Sequence, residues 1–242
     1  MNPILLIPAR LASARLPAKP LAEIGGVPMI VRVLRQAVAA GLGPVVVAAA
    51  EAEIVAAVET AGGRAVLTDP DLPSGSDRVH AALEQLDPNR RHDVVVNLQG
   101  DLPALDPGQI RTVAAALEES GADIATLAAE ITDPAERDNP SVVKAVIAWN
   151  KDGRLGRALY FTRATAPAGE GPLFHHVGIY AYRRDALTRF VALPPSPLEV
   201  RERLEQLRAL EANMSIAVAR VDSVPLSVDT PADLERARKI LP

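Results

Sequence analysis

Three cations, Arg10, Arg15 and Lys19, stand close together in the run Pro8-Ala9-Arg10-Leu11-Ala12-Ser13-Ala14-Arg15-Leu16-Pro17-Ala18-Lys19-Pro20. Guanidinium and ammonium groups neutralise phosphate oxygens, and small residues let a backbone approach a ligand closely. The run directly follows an apolar strand, Ile4 to Ile7. In open α/β sheets, ligands bind beyond the carboxyl ends of the strands. Pro8, Ala9, Arg10, Arg15 and Lys19 are therefore candidates for a triphosphate site, with a solvated basic loop as the plainer alternative. The run holds neither a GxxxxGK[ST] signature nor a GxGxxG, which weakens the P-loop and dinucleotide readings.

Four further segments carry polar chemistry. Asn97-Leu98-Gln99-Gly100-Asp101-Leu102-Pro103 ends an apolar strand. A carboxylate at a strand end is suited to hold Mg²⁺ against phosphate, although Gly-Asp is also ordinary turn chemistry. In Val228-Asp229-Thr230-Pro231, Asp229 lies just outside a helix cap, either facing a cleft or merely flanking the cap. Pro73-Ser74-Gly75-Ser76-Asp77-Arg78 offers hydroxyls, amides and a guanidinium to a base or ribose, or else forms a turn with a helix cap. Tyr160 to Ala164 and Phe174 to Tyr180 flank an irregular stretch and include His175 and His176. Adjacent strand residues point to opposite faces, so this His pair is a poor metal site, but one of the two is free to bind a polar substrate.

The elements that must position these residues alternate. Strands are expected at Ile4–Ile7, Val45–Val47, Arg64–Leu67, Val94–Leu98 and 124–129. Helices are expected at 28–40, 51–61, 77–86 and 107–119. Strands that are apolar throughout and alternate with helices predict a parallel sheet covered on both faces. Residues 132–182 differ: strands at Val142–Ile147 and Val177–Tyr182 enclose a Pro- and Gly-rich stretch, which reads as an inserted subdomain. A charged helix is expected over 198–211. Thr230-Pro231-Ala232-Asp233 announces a C-terminal helix, with Thr as N-cap and Pro in the first turn.

Composition narrows the classes. The chain has 242 residues, 48% of them hydrophobic, with a formal net charge of −4. A full core is affordable, and without a broad basic surface nucleic acid is not an expected partner. Arginines outnumber lysines by 22 to 4 and are scattered, a composition bias rather than a patch. There are no cysteines, which excludes disulfides, thiolate metal sites and a Cys nucleophile. No segment approaches the ~20 apolar residues of a membrane span, and the first residues lack a signal-peptide pattern. A cytoplasmic protein is expected.

Taken in order, the segments resemble the 3-deoxy-manno-octulosonate (Kdo) cytidylyltransferases, also called CMP-Kdo synthetases. The resemblance runs nearly end to end: IPARLASARLPAKPLAEIGGVPMI at 7–30, SGSDR at 74–78, VNLQGDLP at 96–103, NPSVVK at 139–144, LYFTRATAP at 159–167, HVGIYAYR at 176–183, PPSPLEVRERLEQLRALE at 194–211 and VDTPADLERA at 228–237. It implies a Rossmann-like nucleotidyltransferase fold with a mostly parallel central sheet. A smaller insert over 132–212 would serve sugar binding and dimerisation, between a nucleotide-binding part at 1–131 and a return to the main sheet at 213–242. It implies CTP, Mg²⁺, Kdo as the acceptor for lipopolysaccharide synthesis, and a homodimer. Arg10 and Lys19 match phosphate-binding positions, and Ser74, Arg78 and Gln99 match positions near the nucleotide. Asp101 and Asp229 match metal-binding aspartates. Arg163, His176, Tyr180, Glu205 and Gln206 match the sugar side. By the resemblance, Arg10, Lys19 and Asp101 would be the catalytic residues.

Two positions depart from the family pattern. Leu102 stands where the family often has Glu, and Ala49-Ala50-Glu51 where it often has Thr-Asp. Neither departure removes Asp101 or Asp229. Competing readings are a cytidylyltransferase for another acidic sugar, such as sialic acid or amino-Kdo, and a non-catalytic nucleotide-sensing module. A glycosyltransferase would be expected to carry a strand-end DxD, which the Asp101 region lacks.

Overall fold

The computed structural model describes residues 1–13 and 15–241. The chain divides into two compact units, one made of residues 1–111 with the segment from Pro225 onward, the other of Thr112–Val224. In the first, β1 (Pro3–Ala9) leads through a basic loop and a 3-10 turn (Lys19–Leu21) to a small hairpin, β2 (Glu23–Ile24) and β3 (Val27–Pro28). Then follow α1 (Met29–Ala39), β4 (Val45–Ala49), α2 (Ala52–Thr60), β5 (Ala65–Leu67), α3 (Gly75–Leu86), β6 (Val94–Asn97) and the first residues of α4 (Pro107–Ser120), most of which belongs to the second unit. The strands lie in the order β5-β4-β1-β6. All three neighbouring pairs are parallel, with Leu5 beside both Val45 and Val96.

Leu5, Leu6, Ile7, Val46, Val47, Val95 and Val96 are all buried. Strands buried on both faces need apolar residues at every position, which explains why these runs do not alternate. On α1, Met29, Ile30, Val33, Leu34 and Ala37 are buried at helical spacing, while Val38 faces solvent. α3 begins two residues before the expected Asp77. Ser74 is its N-cap, accepting a hydrogen bond from the Asp77 amide at 3.2 Å.

The second unit holds β7 (Ile124–Glu130), α5 (Pro134–Arg137), β8 (Lys144–Trp149), β9 (Leu155–Thr162), β10 (Phe174–Arg183), α6 (Arg184–Ala192), α7 (Pro197–Glu202), α8 (Leu207–Glu211) and β11 (Ile216–Val221). Its strands run β10-β7-β11-β9-β8. Only β7 and β11 pair in parallel; β10 with β7, β11 with β9, and β8 with β9 are antiparallel.

Two expectations are corrected here. Leu155–Thr162 is a strand, where the sequence pointed only to an irregular connection. The helix expected over 198–211 is two short helices, because Arg203 takes the left-handed conformation (φ 57°) and ends α7. Arg208 pairs with Glu199 across the break.

The chain then returns to the first unit and closes with α9 (Pro231–Ile240), which carries the expected Thr230 cap. The Thr230 hydroxyl and the Asp233 carboxylate form a reciprocal capping box. Among the described residues no helix is long and apolar enough to cross a membrane.

Candidate active site

The first unit contains a cleft of about 390 Å³ lined by Pro8, Ala9, Arg10, Arg15, Lys19, Ser74, Arg78, Gln99, Asp101 and Asp229, among others. Every residue expected at the nucleotide and metal positions therefore reaches one place. The cleft lies at the carboxyl ends of β1 and β6, where an α/β sheet leaves backbone and side chains free to meet a ligand.

Several local ties build it. Gly100 passes so close to β1 that a Cβ there would stand 3.0 Å from the Pro8 carbonyl oxygen, a tight contact that the small residue avoids. The Val228 amide donates to the Asp101 carbonyl at 3.0 Å, which draws the segment bearing Asp229 beside Asp101. Below this contact, Leu16, Ile24, Met29, Val228, Leu234 and Ala237 pack as a small apolar cluster. That cluster anchors both the basic loop and the start of α9. The Leu11 amide donates to Glu51 Oε2 at 2.9 Å and fixes the other side of the loop.

The centre of the cleft is ionic. Lys19 Nζ donates to Asp101 Oδ2 at 2.8 Å and to Asp229 Oδ1 at 3.0 Å, and Arg15 Nη2 lies 3.2 Å from the same Asp229 oxygen. Burial pulls the Lys19 ammonium toward deprotonation, but Asp101 and then Asp229 more than offset it, so its pKa is raised. One positive centre thus touches both carboxylates at once. Two hard oxygen donors converging on one point suit a divalent cation that keeps part of its shell for phosphate. Among the described residues no cluster of three or more His, Cys, Asp or Glu is placed to cage an ion by itself.

Arg78 differs from its neighbours. It is 2% exposed, and its Nη1 donates to Thr68 Oγ1 at 2.6 Å and to the Asp69 carbonyl at 2.9 Å. Burial lowers its pKa. It fastens the 68–70 loop and lends the cleft its charge at second hand. Ser74, as a cap, likewise turns its hydroxyl onto Asp77 Oδ2 at 2.6 Å. Leu102 is 6% exposed and Ala49 and Ala50 are buried, so the departing positions pack against the core and present no polar group to the cleft.

The residues expected on the sugar side all belong to the second unit. His176 and Tyr180 lie on β10 with ring centroids 5.6 Å apart. Burial, then Tyr182 and Glu205, push the Tyr180 phenol well above its ordinary pKa, so it stays protonated and can donate. Gln206 is buried. Arg163 is held by Glu202: its amide donates to Glu202 Oε2 at 3.0 Å and its Nε to the Glu202 carbonyl at 2.9 Å, while its Nη1 reaches the Pro140 carbonyl at 3.0 Å. Glu202 also accepts from Thr162 Oγ1 at 2.8 Å. Burial raises the Glu202 pKa, but the Arg163 amide and the Thr162 and Tyr160 hydroxyls lower it further, so it is a carboxylate. Glu202 and Thr126, the hydrogen-bond partner of His176, are the supporting residues that the sequence did not single out. Nothing in their own neighbourhoods marks them, because their partners lie 39 and 50 positions away.

With this geometry in hand, comparison with known proteins is decisive. The cytidylyltransferase family profile matches residues 4–216. The chain is 68% identical to the 3-deoxy-manno-octulosonate cytidylyltransferase of Parvibaculum lavamentivorans, over 99% of this chain and 93% of that protein. It is 66% identical to the protein of the same name from Rhodospirillum centenum, again over 99% and 93%. A solved structure of CMP:2-keto-3-deoxy-manno-octonic acid synthetase complexed with CTP matches with a TM-score of 0.90 at 38% identity, covering 100% of this chain and 98% of that one. The chain belongs to the cytidylyltransferase family, in its 3-deoxy-manno-octulosonate cytidylyltransferase branch.

Proposed function

We propose that this enzyme transfers CMP from CTP to the anomeric hydroxyl of Kdo, releasing pyrophosphate and giving CMP-Kdo for lipopolysaccharide assembly. The observation that carries this reading is the joining of Lys19, Asp101 and Asp229 in a cleft flanked by Arg10 and Arg15. The alternatives, another acidic sugar or a silent nucleotide sensor, are not favoured by relatives of this identity and coverage.

In this reaction the sugar hydroxyl attacks the α-phosphorus in line, and the bond to the β-phosphate oxygen breaks. Such transfers need positioning and charge neutralisation more than covalent help. Arg10, Arg15 and Lys19 neutralise the triphosphate. The backbone at Pro8 and Ala9 and the Gln99 side chain line the nucleotide's place. Arg78 and Ser74 shape it through the 68–70 loop and the α3 cap. Divalent metal is general in this family, and Asp101 and Asp229 would hold Mg²⁺, which supplies positive charge at the phosphate oxygens. Lys19 would then exchange its carboxylate contacts for phosphate.

Arg163 would pair with the sugar carboxylate, with His176, Tyr180, Glu205 and Gln206 reading its hydroxyls. In this reading residues 1–131 and 213–242 serve the nucleotide and 132–212 the sugar. The working form is a cytoplasmic homodimer.

The test is pyrophosphate release from CTP and Mg²⁺ with Kdo, amino-Kdo, sialic acid or no sugar. Release that depends on Kdo supports the proposal. Release only with another sugar moves the specificity, and none with any acceptor, from folded protein that binds CTP, overturns it.

A further inference from the structure

Thr126 sits at a break in the register between β7 and β10. Val177 opposes Leu127 and Ala181 opposes Ala125, so Gly178, Ile179 and Tyr180 bulge opposite Thr126 alone. The Thr126 hydroxyl fills the gap. Its oxygen lies 2.9 Å from His176 Nε2, 3.1 Å from the Val177 carbonyl and 2.8 Å from the Ile179 carbonyl. Thr126 is fully buried and His176 is 8% exposed.

The protons at this corner can be counted. Carbonyl oxygens only accept, and the hydroxyl has one proton to give. If Nε2 were bare, one proton would face three acceptors, leaving buried lone pairs turned on one another. The arrangement is satisfied only when the hydroxyl donates to a carbonyl, Ile179 being nearest, and accepts from an Nε2–H of His176. A neutral imidazole protonated at Nε2 has a bare Nδ1, which accepts. The Phe161 ring, edge-on at 4.8 Å, and Tyr180 enclose the other faces of the ring. Among the described residues no hydrogen bond is made by Nδ1.

We infer that Thr126 is a positioning residue that fixes His176 as the Nε2–H tautomer, so that Nδ1 accepts a hydrogen bond from a hydroxyl of the sugar. This rests on the reading above that His176 serves the sugar. It deepens that reading by assigning His176 a hydroxyl group and denying it the carboxylate, since a bare nitrogen repels an anion. Burial, then the neighbouring His175, depress the His176 pKa to about 3, so the ring stays neutral at working pH.

The direct test is ¹⁵N–¹H correlation of the imidazoles in the uniformly labelled full chain, with the His176 signals assigned by their loss in His176→Gln. The expected pattern is a protonated Nε2 and a bare Nδ1. The reverse pattern, averaged nitrogens or a doubly protonated ring overturns the inference, whatever the substrate. Steady-state kinetics then separate it from the reading it rests on. Thr126→Val should raise KM for Kdo about tenfold, the scale of one lost hydrogen bond, with KM for CTP unchanged and the tautomer signals averaged. Thr126→Ser should restore both. Unchanged KM for Kdo in Thr126→Val overturns the positioning role. If His176→Gln leaves KM for Kdo unchanged while the tautomer is as expected, the sugar-side reading fails and the proton assignment stands. Should Thr126→Val not fold, the unmodified chain and Thr126→Ser still decide the tautomer.

Discussion

Lys19 and Asp101 meet with side chains 18% and 24% exposed, whereas Thr126 and His176 meet as buried residues. The first pair is ionic and partly wet, the second neutral and dry. The contrast suits the chemistry proposed for each. A triphosphate brings several charges that must be matched by movable cations and carboxylates. A sugar brings hydroxyls, which are told apart by acceptors and donors whose protons are fixed in advance. On the proposed reading, charge would meet groups able to exchange partners, and hydroxyls would meet groups whose protons are fixed.

The comparison can be broken most directly at its charged end. Asp101→Asn should cut pyrophosphate release about a hundredfold or more, roughly 3 kcal/mol of barrier, with the thermal unfolding curve little changed. Near-normal turnover would remove Asp101 from the machinery.

The neutral end predicts an acid sensitivity that the charged end does not. The folded His176 pKa of about 3 lies below the ordinary 6.5. The unfolded chain therefore binds a proton that the folded chain refuses. Stability from this residue is complete above about pH 6.5 and falls as the pH drops toward 3, by about 1.4 kcal/mol per pH unit. Denaturant titrations at pH 7, 6 and 5 should show the native protein losing stability faster than His176→Gln. Parallel slopes would mean that His176 is protonated in the fold.

Next in size is Glu202→Gln, which keeps the shape and removes the charge beside Arg163. KM for Kdo should rise about tenfold and KM for CTP should not move. Equal shifts in both would place Glu202 in general scaffolding. Smallest is Arg15→Ala. Its side chain is 65% exposed against Asp229, and exposed pairs contribute at most about 1 kcal/mol. A loss of a few-fold in kcat/KM for CTP is expected, and a loss near that of Asp101→Asn would show that Arg15 carries far more of the triphosphate's charge than its exposure implies.

The sequence made some parts of this molecule legible and hid others for physical reasons. Parallel strands such as β1 and β4 are apolar at every position, and β6 at all but its last, Asn97, because both faces are covered, so their runs stood out. The Thr230 cap was readable because capping is chemistry within four residues. β9 was hidden because its first half, Leu155, Gly156 and Arg157, is not buried and its buried residues, Ala158, Phe161 and Thr162, follow no strand period. The break at Arg203 was hidden because neither Gly nor Asn marks it, and the Arg208–Glu199 pair that spans it joins residues nine positions apart. Lys19 and Asp101 were legible singly, as charged residues beyond strand ends. Their meeting, across 82 positions, belongs to the fold, and the nearness of Asp229 to Asp101 to the amide of Val228.

That amide has a consequence for how the enzyme is made. Asp101 is held against a segment that the ribosome adds more than a hundred residues later. At roughly 5–20 residues per second, a nascent chain carries Lys19 and Asp101 for about ten seconds before Asp229 is synthesised. During that interval it has a basic loop and one carboxylate but not the pair. The grouping of Lys19, Asp101 and Asp229 is complete only once residue 229 has been made, and a chain stopped before it carries the basic loop and Asp101 without the second aspartate.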